Sequence, residues 1–481
     1  MAYEHGVNIT ENKTSLSTPV TALSGISIVV GTAPVHMVGG KVNEPILAYS
    51  YAEAVSALGY SDDWAKYTLC EVIYSHFVLY QVAPVVFVNT LDPAVNITHI
   101  AAASYDLADG KIKLPFDAVA DSLTVKDAPG GSTVYVKGTD YDLLYTEDNL
   151  VIEVLPGGDI AADATALLLE FNVIDLTGFD KNDIIGGYDV NTKKSSGLEL
   201  VDAVFPKFTI VPDIILAPGY SDDAEVAAVM AAKAASINGS FRANALIDGD
   251  TTTVRHYSDV PEWKNAQNIT SKEQILLWPM VKLGDRIFHA SVQAAALMAQ
   301  VDTYNGGNPS ESPSNKKLQA NAAVLADGTE VYLDKPTANY LNSNGIVTAL
   351  NFIGGFRLWG NFTACYPANT DVKDYMIPIS RMFKWVGNSL VLTYWGRVDE
   401  RMTPRYITSI TDSVNIWLNG LTTEGTLLGG RVEFREEENP ITALMSGKIK
   451  LHLFLTPPVP GQEIEFVLEY DVSYLSALFV A

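Results

Sequence analysis

Apolar residues recur at every second position over one long stretch of the chain. Ile449, Leu451, Leu453 and Leu455 alternate with Lys448, Lys450, His452 and Phe454. After Pro457, Pro458 and Pro460, Ile464, Phe466, Leu468, Tyr470 and Val472 alternate with Glu463, Glu465, Val467, Glu469 and Asp471. A period of two is that of a strand with one apolar face. The pattern therefore predicts strands at 448–456 and 463–472, the first with a basic polar face and the second with an acidic one. Proline brings no N–H to a ladder, so the linker breaks the sheet instead of extending it. Two arrangements satisfy this pattern. Either the strands close as a hairpin with complementary Lys and Glu faces, or the second leaves to pair with another copy of the chain.

Upstream the texture is different. Residues 1 to about 20 are polar and read as an extended arm stopping at Thr18-Pro19. The run GISIVVGT, Gly25 to Thr32, reads as a buried strand, as does VVFVN, Val85 to Asn89. Helical patterns at 50–58 and 64–82 lie between them, and strand, helix, strand implies an α/β core with parallel pairing. From about residue 93 to 178 the chain shows short alternating pieces separated by Gly-, Pro- and Asp-rich turns, which reads as an inserted all-β module. Acids outnumber bases severalfold there. The core pattern resumes with Ile214 to Ala217, a helix at Ala224 to Ile237 and a strand at Phe241 to Asp248. A strand pair is expected at 275–289, a helix at about 290–301, a loop at 305–315 and a helix at 377–395. A further helix is marked by Thr403 as N-cap, Pro404 at its first position and Gly420 just past its end. Its apolar stripe is Tyr406, Ile407, Ile410, Val414, Trp417 and Leu418. Its polar stripe includes Arg405, Asp412 and Asn415.

Composition narrows the function classes. The chain has 481 residues, 48% hydrophobic and 18% charged, with a formal charge of −24. Such a surface repels nucleic acid, and no basic stripe is present. No apolar run reaches the roughly 20 residues of a membrane helix, and no signal peptide is visible at the start. Two cysteines, Cys70 and Cys365, argue against a disulfide framework and fit a reducing cytoplasm.

Candidate chemistry is sparse. The pentapeptide GYSDD occurs at Gly59 to Asp63 and at Gly219 to Asp223. Paired aspartates suit a metal or acid–base work, but each copy precedes a predicted helix, where Ser or Asp caps free N–H groups. Asp248-Gly249-Asp250 reads as a strand-end turn and Glu436 to Glu438 as a solvated run. The histidines have no zinc spacing, and neither a Gly-x-Ser-x-Gly elbow nor a phosphate loop occurs. No catalytic, cofactor or metal residue is assigned.

A set of longer motifs carries a resemblance. They are GGFRLWGN (Gly354 to Asn361), ISRMF (Ile379 to Phe383), GTLLGGRVEF (Gly425 to Phe434) and SGKIKLHLFLTPPVPGQEIEFVLEYD (Ser446 to Asp471). With the segment Pro212 to Asp250 and the opening YEHGVNITE, Tyr3 to Glu11, the chain resembles the tail sheath protein of contractile phage tails and related injection particles, including tailocins. The resemblance spans about three-quarters of the chain and leaves out the β module.

That family implies an α/β core of subtilisin-like architecture without a triad, an inserted all-β domain, and an α+β C-terminal domain with terminal extended arms. The expected layout is an arm at 1–22, core at 23–92, inserted β domain at 93–178, core at 179–350, C-terminal domain at 351–460 and arm at 461–481. The family also implies strand exchange. Val7 and Ile9 of one copy, and Ile464, Phe466, Leu468, Tyr470 and Val472 of another, would join a receiving strand carrying Ile449, Leu451, Leu453 and Leu455. Arg405, Asp412 and Asn415 are the candidate tube-facing residues. Implied partners are further copies in a helical homo-oligomer, an inner tail tube protein, and baseplate and tail terminator proteins, with neither nucleic acid nor membrane insertion. The implied location is the virion tail sheath, assembled in the bacterial host cytoplasm. Two other readings stay open: an α/β hydrolase with an acidic β accessory domain, and a surface adhesin using the β module.

Overall fold

The computed structural model describes residues 19–128 and 130–479. Its centre is an eight-stranded sheet. In chain order the strands are β1 (Ser27–Gly31), β2 (Ile46–Ala48), β3 (Val85–Asn89), β4 (Ile214–Leu216), β5 (Asn244–Asp248), β6 (Gln274–Leu277), β7 (Ile346–Phe352) and β8 (Gly355–Trp359). Their spatial order is β8-β7-β6-β5-β4-β1-β3-β2. The six inner strands run parallel, and β2 and β8 pair antiparallel at the two edges.

Every residue of β1 and β3 is buried. Val29, Val85 and Phe87 face one apolar layer, and Ile28, Val30, Val86 and Val88 face the other. Helices cover both faces of such a sheet, which explains the continuous apolar runs read from the sequence. Helix α1 is Tyr51–Leu58, α2 is Ala224–Ala235 and α3 is Ala290–Tyr304. Helix α2 packs in one layer and α3 in the other.

Residues 97–174 contain six strands that pair only with one another, as two three-stranded sheets around their own apolar cluster. Asp117 ties this unit to the main body. It accepts from Lys66 Nζ at 2.6 Å and from the Tyr67 hydroxyl at 2.5 Å.

Several expectations are corrected. The single helix at 64–82 is a short α-helix, Thr68–Ile73, running into a π-helix, Tyr74–Tyr80. The first GYSDD copy does not cap it. Asp63 accepts instead from Lys66 N, within the turn, and the N-cap Tyr67 makes no side-chain cap. The second copy does cap: Asp223 Oδ1 accepts from the N–H groups of Glu225 and Val226. The pair at 275–289 is three strands, because β6 joins the main sheet and only Met280–Leu283 and Arg286–Phe288 form the hairpin. Strand β7 runs across the expected boundary at 350/351.

Helix α4 is Ile377–Tyr394 and α5 is Pro404–Thr423. Thr403 caps α5 as expected, donated to by Tyr406 N. Gly420 lies inside α5 and not past its end. Leu421 continues the apolar stripe into a buried site, and that burial outweighs glycine's weak helix propensity. Two last strands, β9 (Gly429–Phe434) and β10 (Leu451–Thr456), pair antiparallel and pack on α4 and α5. A short helix, α6 (Ile441–Met445), lies in their connection.

Candidate functional site

The β9–β10 pair is a two-stranded sheet. Its register runs from Gly429 opposite Thr456 to Phe434 opposite Leu451. On one face Val432, Leu451, Leu453 and Leu455 pack against Ile410, Val414, Trp417 and Leu418 of α5 and Met382, Trp385 and Val386 of α4. Asn415 of α5 clamps β9 from below. Its Oδ1 accepts from Val432 N at 2.9 Å and its Nδ2 donates to Val432 O at 3.2 Å. On the other face the guanidinium groups of Arg431 and Arg435 lie 4.1 and 4.8 Å from the Phe454 ring centroid, and His452 stacks on that ring. His452 Nδ1 sits 2.8 Å from Glu438, so the acidic run at 436–438 is partly used within the subunit.

Both outer edges of this sheet lack a strand among the described residues. Meanwhile the second alternating segment has no place in its own chain. Residues 461–471 adopt no strand and make no ladder, and Ile464, Phe466, Leu468 and Tyr470 are 75–94% exposed. The hairpin arrangement is therefore overturned: 463–472 does not pair with β10. The physical reason is the linker. Pro457 is buried, and Pro458, Val459 and Pro460 run along a groove of about 770 Å³ beside Asn315, Asn342, Trp359 and Tyr366, which carries the chain away from β10. Two finer corrections follow. Ile449 precedes the receiving strand, which starts at Leu451. Val472 opens a 3-10 helix, Val472–Phe479, and does not close the extended segment.

The N-terminal segment packs on α4 at Val20 to Ala22, with Ala22 in the same apolar cluster as the β9–β10 sheet. Val7 and Ile9 lie outside the described residues. The root of that arm is held by three side chains spaced four apart on α4. Thr393 Oγ1 accepts from Val20 N, Ser389 Oγ accepts from Ala22 N, and Trp385 Nε1 donates to Ala22 O, all at 2.8–2.9 Å. Just beyond, the Ser24 hydroxyl donates to Asp302, which with Asp213 holds the buried Arg381 guanidinium. Sequence reading missed this rail; the i, i+4, i+8 spacing of Trp385, Ser389 and Thr393 was its signal.

A separate cavity of about 490 Å³, lined by apolar residues such as Trp64, Leu277 and Met280 as well as by polar ones, lies where the parallel strands end. It gathers the second GYSDD copy, Asp248, Glu71 and His289. The Ser221 and Ser291 hydroxyls donate to Asp248 Oδ2 at 3.2 and 2.5 Å. His289 Nδ1 lies 2.7 Å from Glu71 Oε2. Burial disfavours a charged imidazole, but Glu71, with Asp248 and Asp222 farther off, outweighs that and pushes His289 up to about 9. Burial, then the nearby Asp248 and Asp250 charges, push the Asp222 carboxyl up to about 6. Among the described residues no serine, threonine or cysteine is hydrogen-bonded to His289, whose side-chain partner is Glu71. The serines bond the carboxylate directly, which is a helix-start and strand-end tie. No group of His, Cys, Asp and Glu in the described residues is arranged to hold a metal ion.

Comparison with known proteins fits the open sheet and the detached tail. The tail sheath protein of Burkholderia phage BcepMu is 29% identical over 490 aligned positions, covering 99% of this chain and 98% of the relative. The tail sheath protein of Escherichia phage P2 is 26% identical over 66% of this chain and 80% of its own length. No family profile matches the chain. In fold, the chain aligns with the contracted PVC sheath of an extracellular contractile injection system at a TM-score of 0.59 and 13% identity, covering 98% of this chain and 99% of that one. It aligns with the contracted helical sheath of the anti-feeding prophage at 0.58 and 12% identity, over 97% and 99%. The chain is thus similar over almost its whole length to tail sheath proteins of phages, and in fold to contractile sheaths.

The candidate tube-facing residues do not share one environment. Arg405 and Asp412 are exposed on α5. Asn415 is half-buried, and its amide is spent on Val432, so it leaves that set. Sequence reading took Asn415 for surface because polar stripes do not show which of their members a strand will cover.

Proposed function

We propose that this chain is the repeating subunit of a contractile tail sheath, polymerising as a helical cylinder around an inner tube and contracting to drive it through a cell envelope. One observation carries the reading. A sheet with free edges and an exposed alternating segment occur in the same subunit, and the segment does not fill the edge of its own sheet. The simplest partner for each is the other, on a neighbouring copy. Residues 463–471 would add to the free edge of β10 beside Leu451, Leu453 and Leu455. The arm bearing Val7 and Ile9 would add to the outer edge of β9, on either side of Val432, whose N–H and C=O are held by Asn415. A head-to-tail exchange of this kind builds rings or helices.

The energetics suit a machine. Ordering an arm costs roughly 1–2 kcal/mol per residue, and each fully buried large apolar side chain returns about 1.5–3 kcal/mol. Only alternate positions are apolar, so one arm alone gains little. Affinity comes from holding several neighbours at once. Subunits can then slide and rotate while staying threaded, and the work of contraction comes from new contacts between them, not from nucleotide hydrolysis.

In this reading the α/β body has a subtilisin-like layout without a triad, 93–178 is an inserted decoration and 461–481 is an arm. The role is structural and non-enzymatic. Arg405 and Asp412 offer the inner tube a polar contact that releases after firing. Baseplate and terminator proteins cap the cylinder, and the sheath assembles in the host cytoplasm before becoming part of the virion tail. The hydrolase alternative has less support, because no serine, threonine or cysteine among the described residues is hydrogen-bonded to His289.

Deletion of residues 461–481 tests the core of this proposal. The expected product is a folded monomer that forms no striated cylinders by electron microscopy at concentrations where the full chain does. Normal cylinders from the truncated chain would refute strand exchange.

A further inference from the structure

We propose that residues Ser473–Leu478 of one subunit seat on helix α6 of the neighbour that receives its strand, so that each exchanged strand ends in an apolar clasp. The inference rests on the strand exchange proposed above and adds a second contact to it.

Helix α6 is an unusual piece of surface. It lies in the connection from Phe434 to Leu451, and so caps one end of the β9–β10 sheet. Its Ile441 and Met445 are 75% and 83% exposed, while Ala443 and Leu444 are half-buried. Asn439 fixes the connection in place. Its Nδ2 donates to Arg435 O and Lys450 O, and its Oδ1 accepts from Lys450 N at 2.7 Å. The patch is thus a set feature of the sheet's end. No charged residue occurs from Ile441 to Gly447, directly after three glutamates.

The proposed occupant has matching chemistry. Ser473 to Leu478 carries no charge either, directly after a segment that is acidic at alternate positions. It is helical, and Tyr474 and Leu478 are 78% and 79% exposed. Geometry supplies the direction. Strand β10 runs from Leu451, at the α6 end, to Thr456. A guest strand adding antiparallel to β10, the commoner and better-bonded pairing, runs toward the α6 end. Its next residues after Val472 then emerge beside Ile441 and Met445. A parallel guest would deliver them to the opposite end, near Leu428.

The test uses full-length chains carrying Met445→Cys and Leu475→Cys, assembled into sheath and oxidised. The native Cys70 and Cys365 are buried and give little background. The expected result is a ladder of disulfide-linked multimers, absent from either single variant. A second measurement avoids engineered thiols. Met445→Asp and deletion of 473–481, which keeps the strand itself, should each raise the critical assembly concentration about tenfold. Combining them should add nothing further. Sheath that forms normally without the ladder, or with additive effects of the two changes, overturns the clasp and leaves strand exchange standing. A disulfide closed within one chain also overturns it. Failure of the parent chain to assemble overturns the exchange and the clasp together.

Discussion

Strands β1 and β10 are both short and apolar, yet they are finished differently. Every residue of β1 is buried, both of its edges are bonded within the chain, and apolar layers cover both faces. Residues Leu451–Leu455 of β10 are half-buried and Thr456 is exposed, one edge is bonded to β9, and only one face packs on helices. The main sheet completes itself inside one molecule. The outer edge of β10 in the terminal sheet is paired with no strand among the described residues, and on β9 only Val432 is met there, by the Asn415 amide. On the proposed strand exchange, stability and assembly would lie in separate regions, and subunits could rearrange without unfolding.

The sharpest way to break this comparison is a reciprocal pair of substitutions. Phe466→Asp changes a fully exposed arm residue. It should leave monomer stability within about 0.5 kcal/mol by urea denaturation, and abolish cylinders in electron micrographs. Phe87→Ala empties a fully buried site in β3 beside Phe77. It should cost about 3–5 kcal/mol and reduce assembly only as far as the folded population falls. If Phe466→Asp destabilises the monomer as Phe87→Ala does, the two regions are not separable.

A smaller effect is expected where the regions meet. Asn415→Ala removes both bonds to Val432 and leaves a partly buried backbone N–H and C=O unpaired. The expected cost is about 1–3 kcal/mol, read by urea denaturation. Because Asn415 holds β9, the same variant should weaken sheath formation more than an equally destabilising change in the main sheet. Equal losses of assembly at equal stability would show that β9 needs no such support.

How much of this was legible in the sequence follows the same division. Continuous apolar runs gave parallel core strands, Val85–Asn89 at its true bounds, while those expected at Gly25–Thr32 and Phe241–Asp248 are shorter, Ser27–Gly31 and Asn244–Asp248. Thr403 and Pro404 located the start of α5, since capping is a local interaction. Its end was misplaced because the fate of Leu421 depends on tertiary packing. The alternation at 463–472 predicts a strand, but these residues form none within the subunit, and alternation does not say which molecule would supply a partner. The cavity joining Glu71, Asp222, Asp248 and His289 was invisible, since its members come from four separate segments and form no motif. Asn415 looked like its neighbours on the polar stripe, and only the position of β9 distinguishes it.

The gentlest test concerns that cavity, and it asks whether the core region is as self-contained as its burial implies. Asp222 has no hydrogen-bond donor from another residue's side chain among the described residues, and Asp248 and Asp250 are its nearest like charges. Its carboxyl titrates at about 6 in the folded subunit, against roughly 3.9 when unfolded. The folded state therefore holds its proton more tightly, and between those values it binds more protons than the unfolded chain. Stability from this group is present below about pH 4 and is lost as pH rises through about 6. The shift corresponds to about 1–3 kcal/mol after allowance for the partial exposure of the group. Asp222→Asn should flatten that part of the stability profile and raise stability at pH 7, measured by thermal or urea unfolding of unassembled subunits across pH 4–7. It should leave the critical assembly concentration at pH 7 unchanged, because the cavity lies in the main sheet and away from the open edges. A shift in assembly with no change in the unfolding profile would place this carboxylate at a contact between subunits, and the division between a closed core and an open terminal sheet would have to be redrawn.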